Sequence, residues 1–313
     1  MEVTVIMLVY NHERYLRKAL ESILKQKVNF EYEILISDDV STDKSRDILK
    51  EYQNKFSEKI NILFRKENVG PTKNHYDLLK MARGKYIAQL EGDDFWIDDM
   101  KLQKQYDLLQ ATNFIGIAHS NVVVDSKDKI TGEYKPYKKE KVLKMNDLIK
   151  KGMVYHTATI MYRNVFNLKK DYDVLWKAHK LVSDFTLAFI LLDLGNILYF
   201  PENMSAYRIN DSSADNASNL MKKNLAKSYI KILNSYDYIS DWYCGKYNLE
   251  NLKILRTEEV LRNYYLNKNF SKKDLKNFLN QIKIKSKCIA YIKTFKRGIF
   301  YIIKNKVRTE WKI

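Results

Sequence analysis

Apolar and polar positions along the first hundred residues switch between two periods. Val3 to Val9 is an apolar run, the pattern of a strand buried on both faces. Leu16, Leu20, Ile23 and Leu24 then recur at helical spacing, after Asn11, which suits the cap of a helix starting near His12 and Glu13. Tyr32 to Ile36 reads as a second strand, ended by Ser37-Asp38-Asp39, and Ser41 or Thr42 can cap a helix through Ile48 and Leu49. Ile60 to Phe64 is a third strand, and Asn68-Val69-Gly70-Pro71 has the punctuation of a turn. A helix around Asn74 to Ala82 ends at Gly84, read as a C-terminal glycine. Lys85 to Leu90 predicts a fourth strand, which delivers Glu91-Gly92-Asp93-Asp94.

This order predicts an α/β fold with parallel strands and right-handed crossovers. Ligands of such sheets bind outside the carboxyl ends of the strands. Tyr10, Asp38-Asp39 and Glu91 to Asp94 each follow a strand directly, so three polar clusters are expected on one edge. From Ile115 the pattern loosens. Strands are expected at Ile115 to Asp125 and Tyr155 to Tyr162, joined by a lysine-rich loop and short helix. A helix at Ser183 to Leu194, then Gly195, precedes a strand at Ile197 to Phe200. Beyond Asn216 only helical periodicity remains. The expected organisation is a domain over 1–218, with halves 1–100 and 101–218, and a basic helical region over 219–313.

Composition narrows the class. The chain has 313 residues, 45% hydrophobic and 30% charged, enough to bury a real core, and its three prolines leave little room for linkers. The start lacks a basic n-region, so no secretory signal is expected. The longest apolar stretch, Leu187 to Leu194, carries Asp193 and falls short of the ~18 residues a span requires. Cys244 and Cys288 lie far apart, match no zinc pattern and fit a reducing cytosol, so a cytoplasmic location is expected.

The formal net charge of +17 points to nucleic acid, an acidic membrane or a phosphorylated substrate, with solubilising surface lysines as the plainer account. From Gln281 to Ile313 there are ten Lys or Arg residues against one acid, Glu310. Ile289, Ile292, Phe295, Ile299, Ile302 and Ile303 share a broad helical face, and Lys293, Arg297, Lys304 and Arg308 cluster on another side, although Gly298 interrupts the pattern. Such a helix suits an anionic membrane surface, with Trp311 at the interface. Packing against the rest of the chain and a homodimer contact are the competing readings. The basic residues do not interleave with aromatics, and no nucleic-acid-binding module is recognisable.

Glu91, Asp93 and Asp94 put three carboxylates in four positions. Crowded like charges favour a shared cation, and oxygen ligands suit Mg2+ or Mn2+. Such an ion also bridges a diphosphate and neutralises a leaving group. A solvated acidic turn is the alternative. In Asp38-Asp39-Val40-Ser41-Thr42-Asp43 a carboxylate can serve a base or ribose, or simply cap the next helix. No G-x-G-x-x-G and no Walker pattern is present, which argues against a dehydrogenase or P-loop enzyme.

An ordered set of motifs carries a resemblance. Val9-Tyr10-Asn11 with Tyr15-Leu16 is followed by Ser22-Ile23-Leu24-Lys25-Gln26 and then by Glu33 to Asp39 with Ser41-Thr42-Asp43. Asn68-Val69-Gly70, Gly84-Lys85-Tyr86-Ile87-Ala88 and Glu91-Gly92-Asp93-Asp94 complete it. Together these resemble the nucleotide-binding half of family 2 glycosyltransferases, which have the GT-A fold. His156-Thr157-Ala158-Thr159, Ser183-Asp184 and Tyr207-Arg208 extend the likeness more loosely, to about two thirds of the chain.

The resemblance implies a nucleotide-sugar site drawn from Val9, Tyr10, Asn11, Asp38, Asp39, Asn68, Gly70, Glu91, Gly92, Asp93 and Arg208. Tyr10 would pack on the nucleobase, Asp38 or Asp39 would hydrogen-bond it, uracil most often, and Asp93 and Asp94 would serve ribose and metal. Many members have Asp where this chain has Glu91, whose extra methylene leaves its contact with the metal open. Asp184 is the candidate base of an inverting transfer, and Arg208, ahead of Asn210-Asp211-Ser212-Ser213, would meet the diphosphate. His156 and Thr157 fall on the acceptor side. The implied activity is metal-dependent transfer from a UDP-sugar to a saccharide, lipid-linked in surface or capsule polysaccharide assembly, on the inner face of a bacterial membrane. A nucleotidyltransferase using the same site and a basic nucleic-acid-binding protein are the alternatives.

Overall fold

The computed structural model describes residues 1–168, 170–209, 225–267, 271–283, 286, 287 and 290. Asn210 to Ser213 and nearly all of the expected basic helix over 289–303 therefore lie outside the described residues. The chain forms two compact units, 1–148 with 153–219, and 149–152 with 220–313.

The first unit is built on one mixed sheet. Its first half runs β1 (Val3–Val9), α1 (Leu16–Leu24), β2 (Tyr32–Asp38), α2 (Ser45–Lys55), β3 (Ile60–Phe64), α3 (Pro71–Met81) and β4 (Tyr86–Glu91). The short β5 (Phe95–Trp96), α4 (Lys101–Ala111), β6 (Gly116–Val124), β7 (Ile130–Tyr134), β8 (Lys141–Leu143) and α5 (Met145–Lys151) follow. Then come β9 (Met161–Arg163), α6 (Val174–Lys177), α7 (Asp184–Leu194) and β10 (Ile197–Arg208). The strand order is β3-β2-β1-β4-β9-β6-β10-β5, with β7 on β6 and β8 on β10. β1 pairs in parallel with both β2 and β4, and β2 with β3. Their apolar runs follow from this placement, since a parallel strand covered on both faces has no polar face to show. Leu16, Ala19, Leu20 and Ile23 of α1 pack on the core that Val3, Val5, Ile34, Ile36 and Ala88 build from the sheet.

Register fixes the functional edge. Val9 stands opposite Asp38, and Leu8 opposite Glu91, so the ends of β1, β2 and β4 reach one border of the sheet. The expected convergence of the three polar clusters follows from this register.

Several local expectations are corrected. Asn11 does not cap α1, whose first residue is Leu16; in the left-handed region (φ 57°), its side chain accepts from Thr42 N at 2.8 Å. Ser41 likewise caps no helix and instead accepts from Asn11 N at 3.0 Å. Gly84 is not a helix terminator, for Ala82 ends α3 in an extended conformation. Its lack of a side chain is required because a Cβ would lie 2.4 Å from Thr4 N of β1. The strand expected over 155–162 shrinks to β9. The amide and hydroxyl of Thr159 return to the His156 carbonyl (2.9 and 2.6 Å), closing a 3-10 turn over Thr157–Thr159 in place of a ladder. β10 is longer than expected. It carries Pro201 through register shifts between Phe200 and Ser205, where a missing N–H costs no regular ladder bond.

The second unit contains α8 (Leu225–Trp242), α9 (Glu250–Arg262), a π-helical turn over Asn263–Asn267 and α10 (Lys272–Leu279). Ser271 caps α10 by accepting from Asp274 N at 3.0 Å. Among the described residues no helix is long and apolar enough to cross a membrane.

Candidate active site

The loops after β1 and β2 are stitched together by reciprocal capping. His12 N donates to Ser45 Oγ at 2.9 Å, Glu13 N to Asp43 at 2.9 Å, and Lys44 N to Glu13 at 2.8 Å. Each bond satisfies an amide near a helix start, so the two loops form a rigid shelf. Val9 is buried beneath it, and Tyr10 keeps 36% of its surface exposed.

Asp38 and Asp39 are both buried and both engaged. Asp38 pairs with Arg46 Nε at 2.5 Å and accepts from Ser41 N. The two Asp39 oxygens accept from Val69 N and Gly70 N, each at 2.9 Å, while Asn68 Nδ2 donates to the Asp39 carbonyl at 2.9 Å. Gly70, at φ 82°, is in the region that favours glycine, and this lets its N–H face Asp39 as α3 begins. A nucleobase contact by Asp38 would compete with Arg46. Asp39 retains acceptor capacity, because each of its oxygens carries a second lone pair.

The turn after β4 is met differently. Gly92 N donates to Leu8 O at 3.2 Å, and a Cβ on Gly92 would come within 2.5 Å of His12 Nδ1. Only glycine lets the turn lie this close to the β1 loop. Asp93 and Asp94 are nearly buried, and Asp94 Oδ1 accepts from Arg208 N at 2.8 Å. Burial, then the charges of Asp93 and Glu91, push the Asp94 carboxyl well above the usual carboxylate range. Glu91 is exposed along part of its length, while its carboxyl is crowded by protein and partly withdrawn from water. That desolvation, with repulsion from Asp93 and Asp184, raises its pKa to about 8.

Arg208 is placed behind this turn, not over it. Its Nε donates to Asp93 O at 2.8 Å and one terminal nitrogen to Asp125 O at 2.9 Å, and it pairs with Asp128. Its guanidinium stacks 4.2 Å from the Tyr15 ring centroid. With 3% of its surface exposed, Arg208 holds the Asp93 carbonyl through its guanidinium and the Asp94 carboxylate through its own amide.

Asp184 opens α7 and reaches the same site from the other half of the sheet. Burial raises its pKa, and the Thr157 hydroxyl beside it favours the charged form without meeting hydrogen-bond geometry. A polar chain holds the helix start. Gln89 Nε2 donates to the Tyr162 hydroxyl at 2.9 Å and lies 2.5 Å from His75 Nε2, and His75 Nδ1 is 2.8 Å from Ser183 Oγ. Burial lowers the His75 pKa to about 4, so the ring stays neutral and can accept at one nitrogen while donating at the other.

On the Asp184 side lies a cavity of about 310 Å3, whose lining includes Tyr134, Tyr155, His156, Thr157, Asp184 and Tyr207. His156 and Tyr207 pack with ring centroids 4.3 Å apart and planes tilted by 52°. Burial lowers the His156 pKa to about 4, partly countered by Asp93. The sequence reading singled out His156 and Thr157 but missed Tyr134 and Tyr155, and it missed His75 altogether. Tyr155 directly precedes His156-Thr157, but an expected strand concealed its place in the wall.

Among the described residues no group of three or more His, Cys, Asp or Glu side chains stands ready to hold a metal ion. The residues fit a different kind of site. Mg2+ commonly takes one or two carboxylates and completes its shell with water and substrate phosphates. The crowding that raises Asp94 and Glu91 is the disfavoured charge such a cation relieves.

Residues 4–168 match the model of glycosyl transferase family 2, and the chain belongs to that family. An uncharacterised protein of Mycobacterium tuberculosis is 31% identical over 206 residues, 66% of this chain and 58% of the relative. The chain thus spans less than two thirds of that relative's length. An uncharacterised glycosyltransferase of Nostoc is 28% identical over 278 residues, 85% of this chain and 84% of the relative. Staphylococcus aureus TarS, a poly(ribitol-phosphate) beta-N-acetylglucosaminyltransferase, is 29% identical over 177 residues, 56% of this chain and 29% of TarS. The crystal structure of TarS residues 1–349 with UDP-GlcNAc superposes with a TM-score of 0.60 at 16% identity, covering 92% of this chain and 84% of that one. The architecture is the GT-A fold.

Proposed function

We propose that the chain transfers a sugar from a UDP-sugar to a hydroxyl of a saccharide acceptor, with inversion, in the assembly of a cell-surface polymer. One observation carries this reading. Asp184, from α7, stands close enough to Glu91 at the end of β4 for their charges to interact, with an aromatic cavity on the Asp184 side. A donor site and a proton acceptor thus face a space for a second substrate. The UDP-GlcNAc bound to TarS and the polymer named for that relative support the donor class and the setting.

Asp93 and Asp94 would hold a divalent cation, which would neutralise the diphosphate as it leaves. Tyr10 offers an exposed face to the base, and Asp39 a remaining acceptor. Asp184, raised by burial, accepts the acceptor hydroxyl's proton as the new sugar–oxygen bond forms on the face opposite the leaving group. Arg208 keeps the Asp93 carbonyl and the Asp94 carboxylate in place.

The test is product analysis with a panel of nucleotide sugars. Released UDP supports transfer, and released pyrophosphate would identify a nucleotidyltransferase instead. Asp184→Asn should lower turnover by about 100-fold to 10,000-fold and leave UDP affinity within error, measured by calorimetry with Mg2+. Retained turnover would move the base elsewhere. A peripheral position on an anionic inner membrane, through the basic region after residue 280, belongs to the same proposal. Unchanged sedimentation with anionic liposomes after truncation there would refute it.

A further inference from the structure

The cavity beside Asp184 has a chemistry of its own. Tyr134, Tyr155, His156 and Tyr207 give it ring faces, and Val123 and Met153 add an apolar wall. Asp184 is the one carboxylate in the lining, and no lysine or arginine among the described residues joins it. The Tyr155 hydroxyl and His156 Nδ1 are buried without a hydrogen-bond partner among the described residues. Buried polar groups of that kind are costly unless a ligand or water meets them. At about 310 Å3 the cavity sits at the lower end of the roughly 300–1,000 Å3 span of small-molecule sites, room for one ring and not for a chain of them.

Each feature selects for one kind of guest. Ring faces carry negative π density and match the C–H face of a sugar. Unpartnered hydroxyl and imidazole groups match neighbouring hydroxyls. A carboxylate with no lysine or arginine beside it among the described residues repels an anion, and an anionic group there would be desolvated without a partner from that lining. We infer that this cavity seats a single uncharged polyhydroxylated unit, a neutral sugar ring or alditol, and rejects a unit carrying carboxylate or phosphate. The inference rests on the acceptor side proposed above and deepens it. Charged groups of a longer acceptor must then lie outside the cavity, on flanking units.

Saturation-transfer NMR on the full chain, with and without UDP and Mg2+, tests this directly. The probes are methyl glucoside, methyl N-acetylglucosaminide and ribitol against methyl glucuronide, glucose 6-phosphate and ribitol 5-phosphate. The neutral members should bind and the charged ones should give signals weaker by about tenfold or more, as expected for like-charge juxtaposition. Tyr207→Ala and the milder Tyr155→Phe should both weaken the neutral signals, while Asp184→Asn should raise those of the charged probes. Equal or stronger binding of the charged probes overturns the inference. So does the absence of any neutral binder, or neutral binding indifferent to both tyrosine changes. Because binding is read without turnover, failure to release UDP would count against the proposed activity alone.

Discussion

Asp38-Asp39 and Asp93-Asp94 lie on the same sheet edge with only β1 between their strands, and both pairs are nearly buried. In the first pair every carboxylate has protein donors: Arg46 and Ser41 N on Asp38, Val69 N and Gly70 N on Asp39. In the second, Asp94 has one backbone donor against two carboxylate neighbours, and its carboxyl is pushed far upward. Two similar strings of acids thus do different work. The first builds the shelf; in the second, burial and the neighbouring carboxylates outweigh the Arg208 charge at Asp94, a strain that a cation and a diphosphate complex can relieve. Partner supply separates them, from Ser41 and Arg46 nearby in sequence for Asp38 and from Val69 and Gly70, 30 and 31 positions on, for Asp39.

The sharpest way to break this contrast is to neutralise the second pair. Asp94→Asn should remove Mg2+-dependent UDP binding and lower turnover at least about 100-fold, the scale for losing one preorganised electrostatic contact. The metal-free variant should also melt at a higher temperature than the parent, because a crowded charge is gone. Calorimetry with and without Mg2+ and a melting curve in chelator check both. Unchanged metal-dependent affinity would mean that the charge deficit serves something else.

The first pair should answer with stability. Asp39→Ala leaves two amides without their carboxylate and should cost about 1–3 kcal/mol in denaturant unfolding. A smaller loss would show that water replaces the carboxylate easily at this loop. Any fall in UDP affinity beyond that of a matched Val69 or Asn68 change would add a direct nucleotide role to the structural one.

Lys101 poses the same question with the sign reversed. It is fully buried, donates to Gln105 at 2.8 Å and lies 4.1 Å from the Trp96 ring centroid, and burial lowers its pKa to about 7. Its native value thus lies below its unfolded one of 10.5, so between pH 7 and 10.5 the unfolded chain binds more protons and stability rises with pH. Below pH 7 the full cost of the buried charge is present. Lys101→Met should therefore raise the melting temperature more at pH 6 than at pH 9. An equal gain at both would show that the ammonium is well compensated where it lies.

Much of the fold was legible because it rests on period and order. The runs Val3 to Val9 and Tyr32 to Ile36, each followed by a helical stretch, suffice to place Tyr10, Asp38-Asp39 and Glu91 to Asp94 at neighbouring strand ends. The second half was harder to read, for physical reasons. β5, β7 and β8 have two to five residues, too few for a period to show, and Thr159 breaks an apolar stretch by bonding back to the His156 carbonyl. Partner identity was the least legible. Arg208 sits at the expected position, yet its role depends on Asp125 and Asp128 of a hairpin that the pattern did not reveal.

The smallest expected effect concerns how the shelf is held. Val40, directly after Asp39, has φ 65°, a left-handed conformation that a β-branched residue adopts at a cost of about 1–2 kcal/mol. The surroundings impose it. Ser41 N points back at both Asp38 oxygens, at 3.3 Å each, while Asn68 and the loop amides fix Asp39. Val40→Gly relieves that strain but loosens the unfolded chain, at roughly 0.5–1 kcal/mol, so the net gain should be at most about 1.5 kcal/mol. Urea unfolding reads it, with UDP affinity measured in parallel. A more stable variant with unaltered affinity would mean that the shelf tolerates relaxation and that the functional demand falls on the Asp93-Asp94 turn alone. If affinity falls as stability rises, the strain at Val40 presets the donor edge, and the first acidic cluster is functional through its backbone as well as structural through its carboxylates.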